Sequence, residues 1–210
     1  MIILVRHGQT EANAAGLLQG RVDLPLTDLG RRQAEAAAGV VPPGARIVSS
    51  PLRRAVQTAE VLAAASAGDP EGSDRPEQAI SVDDRWVELD YGQYDGRPIG
   101  DVPGEVWDRW RTDVDFAPPG GESLAECGRR VREACQDIAA AMRSPDAPVV
   151  VVVSHVSPIK AAVAWALGVE DTTAWRMFLD VAGVCRLSIG PRGPSLHSFN
   201  DRHHLTSAGL

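Results

Sequence analysis

The sequence predicts an α/β fold: a three-layer α/β/α sandwich around a mostly parallel sheet of about six strands. Three observations carry this. Short β-branched runs alternate with segments of helical periodicity, the pattern of a parallel sheet covered on both faces. One run, 149–153, is apolar at every position and suits a central strand buried on both sides. The helical segments carry capping residues where an α/β unit needs them.

"IILV" (2–5) is the first strand, "GARIVSS" (44–50) the second and "AISVD" (79–83) a weaker third. "PVVVVVSH" (148–155) is the fourth, and "VCRLSIG" (184–190) with "SLHSFN" (195–200) forms a hairpin across the turn "PRGP". Thr27 caps a helix through "LGRRQAEAAA" that Gly39 ends. Ser50–Pro51 has the form of a cap and first helical residue, opening "LRRAVQTAEVLAAA". Ser123 with Glu126 makes a capping box, after which Leu124, Cys127, Val131, Ala134, Ile138 and Met142 mark one apolar face. Ser157–Pro158 opens a further helix, closed by Gly168. The segment 65–78 reads as a polar surface loop. The whole chain, 1–210, reads as one domain with an insertion over the active site at about 95–123, helical near 106–112.

Composition narrows the partners. Hydrophobic content is 44% and charged content 23%, ordinary for a globular protein, and the net charge is −7. No global positive field exists to draw nucleic acid or an acidic membrane, so any anion must be held by local arginines and should be small. The three cysteines, Cys127, Cys135 and Cys185, make no disulfide framework and lack metal-site spacing. No leader or membrane span is expected, and a reducing cytoplasm fits best. A homodimer is left open.

Ligands of an open α/β sheet bind outside the carboxyl ends of its strands. Arg6 and His7 end the first strand, Arg54 lies in the first turn after the second, Glu88 follows the third, and His155 ends the fourth. Two histidines, two arginines and a carboxylate converging on one edge suit a phosphoryl group, which guanidinium forks and helix N-termini bind well. Phosphate monoesters are so inert that placed cations alone fall short, and a covalent intermediate is the natural addition. Two side features stand apart: Trp107 and Trp110 either seat the insertion or line a substrate mouth, and His197, His203 and His204 read as surface or capping residues rather than a metal site.

In order along the chain, "LVRHGQTEAN", "QGRVDLPLTDLGRRQA", "SSPLRRAVQTA", "ELDYG", "VVSHVSPIK" and the tail "NDRHHL" resemble the signatures of the histidine phosphatase superfamily, in its phosphoglycerate mutase-like branch. The resemblance implies that branch's fold and a phosphomonoesterase acting on a small phosphorylated metabolite, with no cofactor and no metal. It implies His7 as the nucleophile that becomes phosphohistidine and Glu88 as general acid and base. Arg6 and Arg54 become phosphate clamps, with Arg53 at a free position, and His155 becomes the holder of the transferring group. Asn13, Gln19, Gly20 and the Val156 amide are placed near the phosphate. For these roles His7 should be neutral, its other nitrogen donating to a backbone carbonyl, and His155 more useful as a cation. Glu88 must carry a proton in the first step. Val156, Ser157 and Lys160 replace the branch's usual Gly-Gly and later arginine. A cofactor-dependent mutase is disfavoured because Leu89 and Asp90 stand where mutases have arginine and histidine. A phosphoester-binding protein without turnover is disfavoured because the catalytic residue types are all present.

Overall fold

A computed structural model describes residues 1–66, 80–144 and 147–210 of the chain. Strand β1 (Ile2–Arg6) is followed by the short helix α1 (Glu11–Ala14), then α2 (Asp28–Ala37), β2 (Arg46–Ser49), α3 (Arg53–Ser66) and β3 (Ser81–Val82). Next come α4 (Gly104–Thr112), α5 (Leu124–Ala141), β4 (Val150–Ser154), α6 (Val156–Leu167), β5 (Val184–Gly190), β6 (Gly193–Asp201) and α7 (His203–Ser207). The strands form one six-stranded sheet in the order β3-β2-β4-β1-β5-β6. Its first four neighbours pair in parallel, while β5 runs antiparallel to β1 and to β6.

Strand side chains alternate between faces, and the two cores follow that alternation. Ile3, Val5, Ile47, Val151 and Val153 pack with Ala55, Ala59 and Leu62 of α3. Ile2, Leu4, Val48, Val150 and Val152 face the other way, toward Cys127, Val131 and Ala134 of α5 and Ile159 and Val163 of α6. All five residues of β4 are buried, as an uninterrupted apolar run requires. The expected α/β/α layers are present.

The capping arguments hold at Thr27, whose hydroxyl accepts from Gly30 N, and at the Ser123–Glu126 box. Gly168 closes α6 in the left-handed conformation, φ 66°. Three helix ends differ from expectation. Gly39 does not stop α2; a 3-10 turn, Ala38–Val40, runs through it. Helix α3 begins at Arg53, and the amide there is capped by a distant carboxylate, Asp23 Oδ1 at 2.7 Å. Helix α6 begins at Val156 with His155 at its cap, because a proline is tolerated anywhere in a first turn where no amide partner is needed. Helices α1 and α7 carried no sequence expectation; α1 is nucleated by a capping box between Thr10 and Asn13. Most of the loop expected at 65–78, and the first residue of the third strand as drawn, lie outside the described residues.

Residues 95–123 contain α4, as expected, but its tryptophans do not line the mouth of the site. Trp110 is fully buried, 5.6 Å from the Tyr91 ring and 5.1 Å from Trp107, so the pair anchors the insertion to the core. Cys127, Cys135 and Cys185 are buried free thiols. No helix of the described residues is long and apolar enough to cross a membrane.

The loop leaving β1 lies directly on α2, and two glycines make that approach feasible. A Cβ on Gly8 would sit 2.2 Å from Gly30 O, and one on Gly30 would sit 2.1 Å from Gln9 O, both against backbone that cannot swing aside. Gly30→Ala should therefore cost about 2–4 kcal/mol in urea unfolding. Gly39→Ala, with open space around it, should change stability by less than about 0.5 kcal/mol.

Candidate active site

Parallel pairing of β1 with β4 sets Arg6 opposite Ser154, so the next residue of each strand, His7 and His155, emerges at the same edge. Their rings lie 5.1 Å apart, centroid to centroid. Arg54 arrives from the first turn of α3 and is completely buried between them. Its Nε lies 3.3 Å from His7 Nε2 and 3.2 Å from His155 Nδ1. A guanidinium nitrogen only donates, so both ring nitrogens must present lone pairs. The remaining ring protons then have defined places. His7 Nδ1–H donates to Gly8 O at 2.7 Å, and His155 Nε2–H to Ser50 Oγ at 2.7 Å.

Both imidazoles are held neutral. Burial pushes each well below the ordinary histidine range, and Arg54 pushes further in the same direction, with His7 and Arg6 adding to it at His155. Both causes disfavour the cation expected of His155. Burial also lowers Arg54 to about 10, opposed by Glu88, Asp23 and Asp95. It stays charged at neutral pH.

The rest of the Arg54 fork is occupied by backbone. Its two terminal nitrogens donate to Val22 O at 2.9 Å and Gly20 O at 2.7 Å. That loop is organised by Asp95, whose carboxylate accepts the amides of Gly20, Arg21 and Val22 at 2.7–2.8 Å. Gly20, expected near the phosphate, does not line the cavity; its amide donates to Asp95 and its carbonyl accepts from Arg54.

A cavity of about 410 Å³ opens over His7. Arg6, His7, Asn13, Gln19, Glu88 and Val156 all line it, so six residues drawn from four separate motifs converge. Arg6 donates to Leu179 O at 2.8 Å, while its buried Nε has no partner, an unpaired cationic donor of the kind an anion would satisfy. Asn13 Oδ1 accepts from the Thr10 amide, which leaves its amino group for a ligand. Gln19 is tied to Thr10 and Val22.

Glu88 sits on the N-terminus of α6. Oε1 accepts from Ser157 N at 3.1 Å and Leu89 N at 2.7 Å; Oε2 accepts from Val156 N at 3.1 Å. The Val156 amide, expected to serve the phosphate, is thus committed to Glu88 in the free site. Lys160, one turn further along α6, is part-buried and does not line the cavity.

Sequence reasoning missed several contributors. Ser50, which receives the His155 proton, carried only a capping expectation. Asp95 stood within an irregular insertion. Gln9, Tyr91, Leu17, Ile99, Asp180 and Val181 also line the cavity; of these, Gln9 inside "LVRHGQTEAN" and Tyr91 inside "ELDYG" stood in motifs beside named site residues. His197 bonds Ser188 on the neighbouring strand, His203 lies near Ser207, and His204 is part-buried.

A buried arginine shared by two neutral histidines, with a carboxylate on a helix terminus and a free arginine donor, is a phosphoryl-binding arrangement. The chain belongs to the histidine phosphatase superfamily (branch 1), whose family model matches residues 2–202. Relatives bear this out. A glucosyl-3-phosphoglycerate phosphatase of Mycolicibacterium vanbaalenii is 41% identical over 135 residues, 61% of this chain and 55% of the relative. A bifunctional protein of Mycobacterium tuberculosis is 36% identical over 189 residues, 87% of this chain and 48% of the relative. The chain therefore spans about half the length of these curated relatives. Among solved structures, a mycobacterial glucosyl-3-phosphoglycerate phosphatase complexed with VO3 has a TM-score of 0.81 at 32% identity, covering 96% of this chain and 98% of that one. A phosphoserine phosphatase mutant of Entamoeba histolytica, in complex with phosphoserine, has a TM-score of 0.81 at 26% identity, covering 97% and 98%.

Neutral burial of the two rings has a pH signature. The unfolded chain protonates them near pH 6.5 while the folded chain resists, so stability is full above that pH and falls as pH drops below it. The slope should approach about 1.4 kcal/mol per pH unit per ring. In urea unfolding between pH 7 and 5.5, a His7→Phe/His155→Phe double variant should flatten this dependence to the share left by His204, which burial also lowers.

Proposed function

We propose that the protein is a phosphomonoesterase that hydrolyses a small phosphorylated metabolite through a phosphohistidine on His7. The observation that carries this reading is the His7 ring itself. Its Nδ1 proton is fixed on Gly8 O, so Nε2 carries the lone pair, accepting from Arg54 Nε on a ring that lines the cavity. An imidazole in that tautomer is a nucleophile without further deprotonation.

In the first step Nε2 attacks phosphorus and the bond from phosphorus to the leaving oxygen breaks. Glu88 supplies the proton to that oxygen. Lone-pair counting selects the atom, because Oε1 already accepts two amides and Oε2 only one. Oε2 is the acid. In the second step Oε2 takes a proton from water as the hydroxide attacks phosphorus, the N–P bond breaks and His7 regains its lone pair.

Arg6, which lines the cavity, meets the equatorial oxygens, and Arg54, which does not, adds its charge from behind the two rings. The phosphoryl group brings a charge of about −1.5 to −2, which reverses the electrostatic sense at His155 and lets that ring take the cationic role it lacks in the free site. Asn13 and Gln19 complete the cradle from the α1 side. The names of the relatives, two of them phosphatases of small phosphoesters, support hydrolysis. Leu89 supports it too: it is buried in the core, where a mutase would carry an arginine toward a second anion.

His7→Ala should lower turnover of p-nitrophenyl phosphate by at least about 10³-fold. Wild-type enzyme quenched in acid after mixing with a labelled substrate should carry acid-labile phosphorus; none would overturn the covalent route. Glu88→Gln should lower kcat by about 10²–10⁴-fold for alkyl phosphates, and by much less for p-nitrophenyl phosphate, whose leaving group needs no proton. EDTA should leave these rates unchanged.

A further inference from the structure

With the phosphoryl group on His7 and Arg6, the rest of the cavity has to receive the leaving alcohol. Its walls there are apolar at Leu17, Ile99 and Val181, with one charged side chain, Asp180. Among the described lining residues Arg6 is the sole cation, against two carboxylates, Glu88 and Asp180. Asp180 is firmly placed. Its amide donates to Asn200 Oδ1 at 2.9 Å, its Oδ1 accepts from Val181 N at 3.0 Å, and its Oδ2 pairs with Arg202. Arg202 is about half exposed and does not itself line the cavity.

We propose that Asp180 is a specificity-determining residue that selects phosphomonoesters whose leaving group offers hydrogen-bond donors and carries no second anion. A carboxylate accepts hydroxyl or ammonium donors and repels another carboxylate, and apolar walls strengthen both effects by excluding water. The inference rests on the phosphatase reading above and deepens it. It also separates this chain from the relatives named above, since glucosyl-3-phosphoglycerate and phosphoserine both carry carboxylates.

Matched pairs of probes test it. Glycerol 3-phosphate and 3-phosphoglycerate differ by a hydroxymethyl against a carboxylate, as phosphoethanolamine and O-phosphoserine differ by the presence of one. The wild type should prefer the first member of each pair by at least about tenfold in kcat/KM. Asp180→Asn should shrink both ratios several-fold, and Arg202→Ala, which bares the carboxylate, should widen them. Because each ratio is measured within one protein, partial loss of folded enzyme does not move it. Comparing the loss on glycerol 3-phosphate with that on phosphoethanolamine in Asp180→Asn identifies whether a hydroxyl or an ammonium is the favoured donor. Equal or inverted wild-type ratios, or ratios unmoved by Asp180→Asn, overturn the proposal. If p-nitrophenyl phosphate is turned over in a His7-dependent manner when that happens, only the specificity inference falls; if no phosphoester is turned over, the phosphatase reading falls with it.

Discussion

One N–H bond organises this site. The Nε–H of Arg54 is shared by a nitrogen from each of two imidazoles, at 3.3 and 3.2 Å. Because that hydrogen can only be donated, it dictates which nitrogen of each ring is bare and sends the other protons to Gly8 O and Ser50 Oγ. The same guanidinium discourages either ring from becoming a second and third buried cation. Everything around it keeps the fork in position. Two carbonyls hold its outer nitrogens, and one carboxylate, Asp95, holds the loop that supplies them.

The sheet explains why so much charge collects at one edge. Strands β1 and β4 are parallel neighbours, and their chains leave toward opposite layers: β1 leads to α2, which packs on α3, and β4 leads into α6, which packs on α5. A crevice must open where the two paths diverge. His7 and His155 are the first residues past the two strand ends, and α6 begins immediately afterwards, which places free helical amides beside them for Glu88 to cap. Catalytic spacing and fold topology are therefore one constraint.

Much of this was legible in the sequence, and the reasons are specific. Strand ends rich in arginine and histidine report their own position, because a buried run has no other use for such residues. Thr27 and the Ser123–Glu126 box report theirs through a fixed local geometry. What could not be read were partnerships between distant segments. Asp23 caps α3 across 30 residues, Asp95 orders the loop at 20–22, and Asp180 meets the cavity from the segment leading into β5. Acidic residues in irregular segments look alike until the fold is known. Ser50 was misread for a related reason: its hydroxyl serves His155 as well as the Leu52 amide, so the helix starts later than its cap-like sequence implies. Val156 and Gly20 are likewise amides whose partners, Glu88 and Asp95, lie far off in sequence.

The stretch from Leu179 to Gly183 touches the amino-terminal motif at three points. Leu179 O receives Arg6, Gly183 O receives the Arg6 amide, and Ala182 N donates to His7 O. That stretch is in turn braced by Asn200 and Arg202. During synthesis, then, Arg6 and His7 leave the ribosome well before the segments that brace them. Until β5 docks beside β1, His7 has no wall behind it, and closing contacts of such long sequence separation are slow to form. A ribosome-bound chain carries Arg6 and His7 long before the contacts that hold them can form.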